Sequence, residues 1–139
     1  MMRTLTTLIR VHQYRLDEKR RELAELERLR ADLIAQRERL EADVRTEQDV
    51  AKRVECGAFA YAGFAQNVIN RRNKLAASLA DVDRRIGAVQ QEVQEIFQEL
   101  KRYELALAAR QKKLREEMER RQQIQLDEIS LQMHRRRTG

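Results

Sequence analysis

Residues 75–107 read LAASLADVDRRIGAVQQEVQEIFQELKRYELAL. Apolar side chains recur in this stretch at alternating spacings of four and three residues, which is the a/d pattern of a coiled-coil seam. Ten successive seam positions are apolar: Leu75, Leu79, Val82, Ile86, Val89, Val93, Ile96, Leu100, Tyr103 and Leu107. The pattern predicts a long helix that packs one face along a partner helix.

A second, less regular stripe in the N-terminal half predicts that partner helix. Its apolar members are Leu5, Ile9, Leu16, Leu23, Leu26, Leu33, Leu40, Val44, Ala51 and Val54. Polar residues occupy the remaining seam positions, where they cost stability but can fix the register: His12, Lys19, Arg30, Arg37 and Glu47. Because the chain contains no proline, no residue in it forbids helix.

The heptad pattern is interrupted around Gly57, which follows the last periodic residues of the first stripe. Glycine in that place is a signal for the end of a helix, since it enters the left-handed conformation at low cost. We therefore predict helix one over about 3–55, a bend at about 56–60 with Cys56 as a small turn residue, and helix two over about 61–135. Gly63 would lie in the first turn of helix two, and Gly87 would lie off the seam.

The predicted fold class is all-α: residues 1–139 form one domain, an antiparallel coiled-coil hairpin whose second helix is longer at the C-terminus. The composition, with 37% charged and 4% aromatic residues, is typical of long helices. The apolar residues are too regularly spaced for a disordered chain.

The predicted bend also predicts a register. With the bend at 57–59, the numbers of facing residues should add to about 116–120. Glu47 would then face Arg71 and Arg72, and Arg37 would face Asp83. Arg3 would face Arg115, which leaves an overhang of about 20 residues on helix two.

The net charge of +6 is concentrated near the two termini. Residues 1–30 hold eight Lys/Arg against five Asp/Glu, and residues 110–139 hold nine against five. In a hairpin these two segments lie side by side, so we expect a basic open end. Its cations include Arg3, Arg10, Arg135 and Arg136, and it would attract an acidic partner.

The sequence carries no catalytic constellation. His12 and His134 are the only histidines, and neither has the cysteine or carboxylate spacing of a metal site. No glycine-rich phosphate loop or nucleophile motif occurs. We expect no enzyme activity, no cofactor, no metal and no small-molecule substrate.

The N-terminus does not resemble a secretory signal, and no apolar run reaches the ~20 residues that cross a bilayer. A single cysteine, Cys56, cannot form an internal disulfide, which fits a reducing compartment. These features predict a cytoplasmic protein.

Aromatic residues gather just after the bend, where Phe59, Tyr61 and Phe64 lie within six residues. Together with Val68 they would either close the hairpin as a hydrophobic plug or form a docking patch, since aromatic side chains are favoured at interfaces.

Four segments resemble the flagellar FliJ family of type III export components. They are Leu5 to His12 (LTTLIRVH, in the pattern LxxLIRVH), Tyr61-x-x-Phe64, Ile96 to Glu104 (IFxExKxxE), and Leu126 to Ile129 followed by basic residues. The resemblance spans the whole chain.

The resemblance implies a fold similar to the central coiled-coil stalk of rotary ATPases. It implies binding to a hexameric export ATPase and to the cytoplasmic domain of the membrane export gate, with export chaperones as a further partner. The gate contact maps to the region just after the bend: Tyr61, Phe64, Val68 and Leu75. By similarity to a stalk, the open end would bind the ATPase through Arg3, Arg10, Met118, Leu126, Ile129, Met133, Arg135 and Arg136. The protein would be a monomer in isolation, peripheral at the cytoplasmic face of the inner membrane.

Two other functions fit the same pattern. A generic coiled-coil scaffold would dimerise through an uncovered seam. A basic helical hairpin would bind nucleic acid, which the acidic residues beside the basic ones and the lack of interleaved aromatics disfavour.

Overall fold

The computed structural model describes residues 2–53 and 57–138, with side chains for residues 2–53 and 61–138. Every described residue belongs to one of two helices. Helix α1 spans Met2–Arg53 and helix α2 spans Gly57–Thr138. The two helices pack against each other, which confirms the all-α helical hairpin.

The start of α2 corrects the predicted bend. Gly57 opens this helix instead of ending the first one, and no described glycine has a positive φ. Alanine is the best helix former and two of the next three residues are alanine, so nothing local stops the helix here. The predicted turn residue Cys56 lies outside the described residues.

The chain divides into two compact units, and α1 and α2 each contribute to both. The first unit consists of Met1–Arg15 and Ile96–Gly139, and the second consists of Leu16–Glu95. That all 139 residues form one domain stays a prediction.

The second unit has an apolar seam with two adjoining clusters. Leu33, Leu79 and Val82 form one buried cluster, with Ile34, Leu75 and Ile86 packed against it. Leu40, Val44 and Val68 form the other, with Phe64 and Leu75 against it. Most of these residues come from the two predicted stripes, because a/d side chains on both helices face each other across the seam. The exceptions are Ile34, Phe64 and Val68.

Ion pairs between α1 and α2 fix the register in this unit. Lys19 Nζ lies 2.5 Å from Glu92, and Arg30 Nε lies 2.7 Å from Asp83 Oδ1. Arg72 donates two hydrogen bonds to the Glu41 carboxylate at 2.6 and 2.7 Å. The residue numbers 19 and 92 add to 111, and both 30 with 83 and 41 with 72 add to 113.

The predicted register of 116–120 is therefore wrong. Arg72 pairs with Glu41 instead of Glu47, and Asp83 pairs with Arg30 instead of Arg37. In an antiparallel pair, the numbers of two facing residues add to twice the residue number at the middle of the bend. Placing the bend a few residues too late therefore raises this sum by twice as many. Arg30 and Arg37 are one heptad apart, so a slipped pairing satisfies the charge pattern as well as the true one does.

Candidate functional site

The first unit pairs residues 2–15 of α1 with the part of α2 that starts at Ile96. Leu5 and Leu100 are buried here, and Tyr103 and Leu107 are half-buried. The pair His12–Glu99 gives a register of 111, which places Arg3 opposite Ala108 and not opposite Arg115. The overhang of α2 consequently begins earlier than predicted.

Every described residue from Ala108 to Thr138 is exposed. We call residues 108–138 the C-terminal extension. It is a single helix of 31 residues, compared with the roughly 20 predicted, and each of these residues is exposed. A helix this exposed gains nothing in water from its apolar side chains.

The extension nevertheless carries seven large apolar side chains, each 47–60% exposed. At 100° per residue, five of them lie within an arc of about 120° that we call the major stripe: Leu114, Met118, Leu126, Ile129 and Met133. Two others, Ile124 and Leu131, are seven residues apart and form a minor stripe on another side of the helix.

Sequence analysis identified four of the major-stripe residues as site residues and missed the minor stripe. Met118, Leu126, Ile129 and Met133 are exposed as that interpretation requires. Ile124 and Leu131 follow Leu75 by 49 and 56 residues, which are whole numbers of heptads, so both continue the seam of α2. Extending the seven-residue repeat beyond Leu107 is the signal in the sequence that identifies them.

The basic residues predicted at the open end fall into two groups. Arg3 and Arg10 are exposed on α1 within the paired part of the unit. Arg135 and Arg136 lie in the last turn of α2, about 40 Å along the helix from Ala108. The structure therefore does not bring all four together. Cations in a last turn also interact favourably with the helix dipole.

His12 is the one buried polar residue among those described, at 5% exposed. Its Nδ1 lies 2.8 Å from the Leu8 carbonyl oxygen and its Nε2 lies 2.8 Å from Glu99 Oε2. The Tyr103 ring meets the imidazole edge-on, with centroids 5.0 Å apart. The seam thus accommodates a polar residue because both ring nitrogens have partners.

The second unit contains the four residues assigned to the gate contact. Val68 is 3% exposed and belongs to the core, with Phe64 and Leu75 half-buried beside it. Tyr61 is half-buried, lies 6.0 Å from the Phe64 ring and accepts a hydrogen bond from Gln48 Nε2 at 2.9 Å. This packing has the geometry of the hydrophobic plug.

What a partner can reach at this surface is Tyr61 and the accessible parts of Phe64 and Leu75. Two neighbouring apolar residues that sequence analysis did not single out, Val50 and Ile69, are about half exposed. Phe59, which the sequence groups with Tyr61 and Phe64, has its side chain outside the described part of the chain.

Three charged side chains in this unit, Lys19, Glu41 and Arg72, have pKa values shifted by their ion-pair partners. The hydrogen bonds from Arg72 lower the pKa of Glu41, and the same pair raises the pKa of Arg72. Hydrogen bonds to Glu92 and Glu22 raise the pKa of Lys19. These shifts are those of structural ion pairs at a helix interface.

Within residues 2–53 and 57–138, no group of three or more His, Cys, Asp or Glu side chains is arranged to hold a metal. No helix in the same ranges is long and apolar enough to span a membrane.

The paired helices and the uncovered extension define a coiled-coil protein whose exposed surfaces are suited to binding other proteins. The model of the family described as "Flagellar FliJ protein" matches residues 1–139, so the chain belongs to the FliJ family. It is accordingly a component of the flagellar protein export apparatus. No curated protein and no solved structure matches it.

Proposed function

We propose that this protein is a non-enzymatic, stalk-like component that binds the hexameric export ATPase and couples it to the cytoplasmic domain of the membrane export gate. The C-terminal extension binds the ATPase, and the Tyr61–Phe64 surface contacts the gate. Export chaperones are a further partner. Contact with the gate would hold the protein at the cytoplasmic face of the inner membrane.

The observation that carries the ATPase contact is the exposure of the whole extension. Fully burying a large apolar side chain contributes about 1.5–3 kcal/mol, and seven such side chains are left half exposed. Apolar surface in this amount is typical of an interaction site. The extension also holds nine Lys/Arg against five Asp/Glu, which would steer it toward an acidic surface.

The distribution of apolar residues favours a ring as the partner. A helix that lies in a surface groove needs a single apolar stripe. The extension has stripes on two sides, so a partner that buries both must surround the helix. The central opening of a hexamer provides contact surfaces on all sides.

The protein would couple the ATPase to the gate by making different contacts with different states of the ATPase subunits. A partner that binds one state of an ATPase subunit more tightly than another shifts the balance between those states. An asymmetric helix within a symmetric ring necessarily touches the subunits differently. No group of this protein needs to take part in the chemistry.

Deletion and point variants test the ATPase contact. We expect removal of residues 118–139 to abolish binding to purified export ATPase in isothermal titration calorimetry. The stimulation of ATPase activity should be lost together with the binding. Ile129→Asp should weaken binding at least tenfold, because a charge is desolvated in an apolar contact.

Ser130→Asp is the matched control, since it introduces the same charge at an adjacent exposed position outside both stripes. It should bind close to the wild type. If the truncated chain and Ile129→Asp both bind and stimulate normally, the extension is not the ATPase site.

The exposed stripes would also suit self-association through the extension, the scaffold alternative. Light scattering separates the two functions, because a stalk is a monomer of 16.5 kDa in isolation and a scaffold is a dimer.

A further inference from the structure

A groove of about 380 Å³ lies between the helices of the second unit. Its walls are Gln36, Arg39, Leu40, Asp43, Arg71, Lys74 and Leu75. Three of these residues are cationic and one is acidic. Among the residues that the structure describes, the side chains of Arg39, Arg71 and Lys74 form no ion pair or hydrogen bond.

At this groove, unlike at the neighbouring ion pairs, the facing positions of the two helices do not carry opposite charges. Positions whose numbers add to 113 bring Arg30 against Asp83 and Glu41 against Arg72. The numbers 39 and 74 also add to 113, so two cations, Arg39 and Lys74, face each other there. Like charges that face each other across an interface destabilise it, and departures from local consistency cluster at functional positions.

Only side chains can bind an anion in this groove. Residues 36–43 and 71–75 lie inside long helices, where backbone N–H groups already donate within the helix. Phosphate sites commonly use the free N–H groups of a helix N-terminus, which are absent from these two segments. Arg and Lys side chains also pair with carboxylates, and all three cations here are exposed, so acidic side chains of a protein can reach them without any backbone donor.

We propose that this groove binds an acidic peptide segment of a protein partner. The segment presents carboxylates to Arg39, Arg71 and Lys74. Arg71 and Lys74 are about 4.5 Å apart along α2, so the carboxylates must be closely spaced, as in a run of neighbouring Asp or Glu residues. Leu75, half-buried in the groove wall, offers the segment one apolar contact.

The identity of the partner rests on the proposed function. Leu75 belongs both to the groove and to the surface assigned to the gate contact, so the two surfaces are continuous. The acidic segment would therefore belong to the cytoplasmic domain of the export gate.

The test measures two ligands by fluorescence anisotropy against the full chain. One is a labelled synthetic peptide with the repeat Glu-Ala-Glu-Leu, and the other is the purified cytoplasmic domain of the gate. The groove variant carries Arg39→Gln, Arg71→Gln and Lys74→Gln. We expect it to bind both ligands at least tenfold more weakly than the wild type at low salt. Wild-type binding should weaken as salt is raised.

The control variant removes the same charge outside the groove, through Arg20→Gln, Arg21→Gln and Arg28→Gln, all exposed on α1. It should bind like the wild type. Circular dichroism checks that both variants remain helical. A third ligand, inorganic polyphosphate, tests whether any polyanion suffices.

Each outcome is decisive. If the wild type binds the acidic peptide through the groove but does not bind the gate domain, the groove inference holds and the gate assignment fails. If groove and control variants bind the gate domain equally, the inference fails while the gate contact stands. Tighter groove binding of polyphosphate than of the peptide, or no binding of either peptide or gate domain, also overturns the inference.

Discussion

His12 shows what a polar residue needs in order to occupy an apolar seam. Its two ring nitrogens each lie 2.8 Å from an oxygen, one the Leu8 carbonyl and the other the Glu99 carboxylate. Only partners on both helices complete this arrangement, so it ties residues 2–15 to α2 in one register.

Replacing His12 should therefore loosen this part of the first unit. We expect His12→Ala to destabilise the pairing of residues 2–15 by about 1–3 kcal/mol, because a buried contact and a charge-assisted hydrogen bond are lost. Amide hydrogen exchange should accelerate in residues 2–15 and stay unchanged around Leu40. His134→Ala, in the exposed extension, is the control and should change neither region; unchanged exchange in His12→Ala would contradict this account.

The Glu41–Arg72 pair makes a prediction about pH. Because the hydrogen bonds from Arg72 lower the pKa of Glu41 below its ordinary value of 4.5, the pair stabilises the fold above that pH. The stabilisation is lost as the pH falls through the lowered pKa. In an NMR titration of the side-chain carboxyl carbon, Glu41 should have a midpoint below 4.5, and Arg72→Gln should raise it. Equal midpoints in the two proteins would show that the pair does not form in solution.

At the scale of the helices, α1 and α2 are long because the chain has no proline and because α2 accommodates two glycines in its interior. Gly63 and Gly87 both lie inside α2, and a Cβ at either position would meet no atom within 4 Å other than the backbone of its own helix and its two chain neighbours. Each glycine thus costs helix stability without providing a close approach or a turn.

Alanine at these two positions should stabilise the protein. We expect Gly87→Ala and Gly63→Ala each to raise the free energy of unfolding by about 0.5–1 kcal/mol, measured by urea denaturation. The reverse change at an exposed alanine of the same helix, Ala77→Gly, should lower it by a similar amount. A loss of stability in Gly87→Ala would mean that this position is in contact with something that the helix pair does not include.

The sequence predicts the two helices of this fold better than it predicts the register in which they pair. The apolar stripes identify the seam residues, such as Val82 and Leu40, because burial follows the heptad directly. The register does not follow from the heptad, because a slip of seven residues keeps every apolar position in the seam. The choice of Arg30 over Arg37 as the partner of Asp83 depends on where the bend lies, and Gly57 is an ambiguous marker of it.

For the candidate surfaces too, some features could be predicted from the sequence and others could not. Exposure of Met118 and Ile129 could be predicted because the shorter α1 cannot cover the end of α2. Burial of Val68 could not, since an apolar residue at a seam position fits a core and a docking patch equally well. The groove beside Arg39 depends on the exact register, so no sequence pattern indicates it.

At the scale of the whole molecule, each of the two units carries one candidate surface. The first unit offers the C-terminal extension, and the second offers the Tyr61–Phe64 surface with its neighbouring groove. Two surfaces with different chemistry, one apolar on two sides and one aromatic beside cations, suit two different partners. The proposed stalk function requires two such contacts.

The number of copies bound to one ATPase hexamer tests the central claim most directly. Mass photometry of the full chain mixed with assembled export ATPase should show one copy per hexamer, because a helix with apolar stripes on two sides is buried only when the ring surrounds it. The chain lacking residues 118–139 should leave the hexamer unoccupied. One copy on every ATPase subunit, or equal occupancy by the shortened chain, would contradict the account.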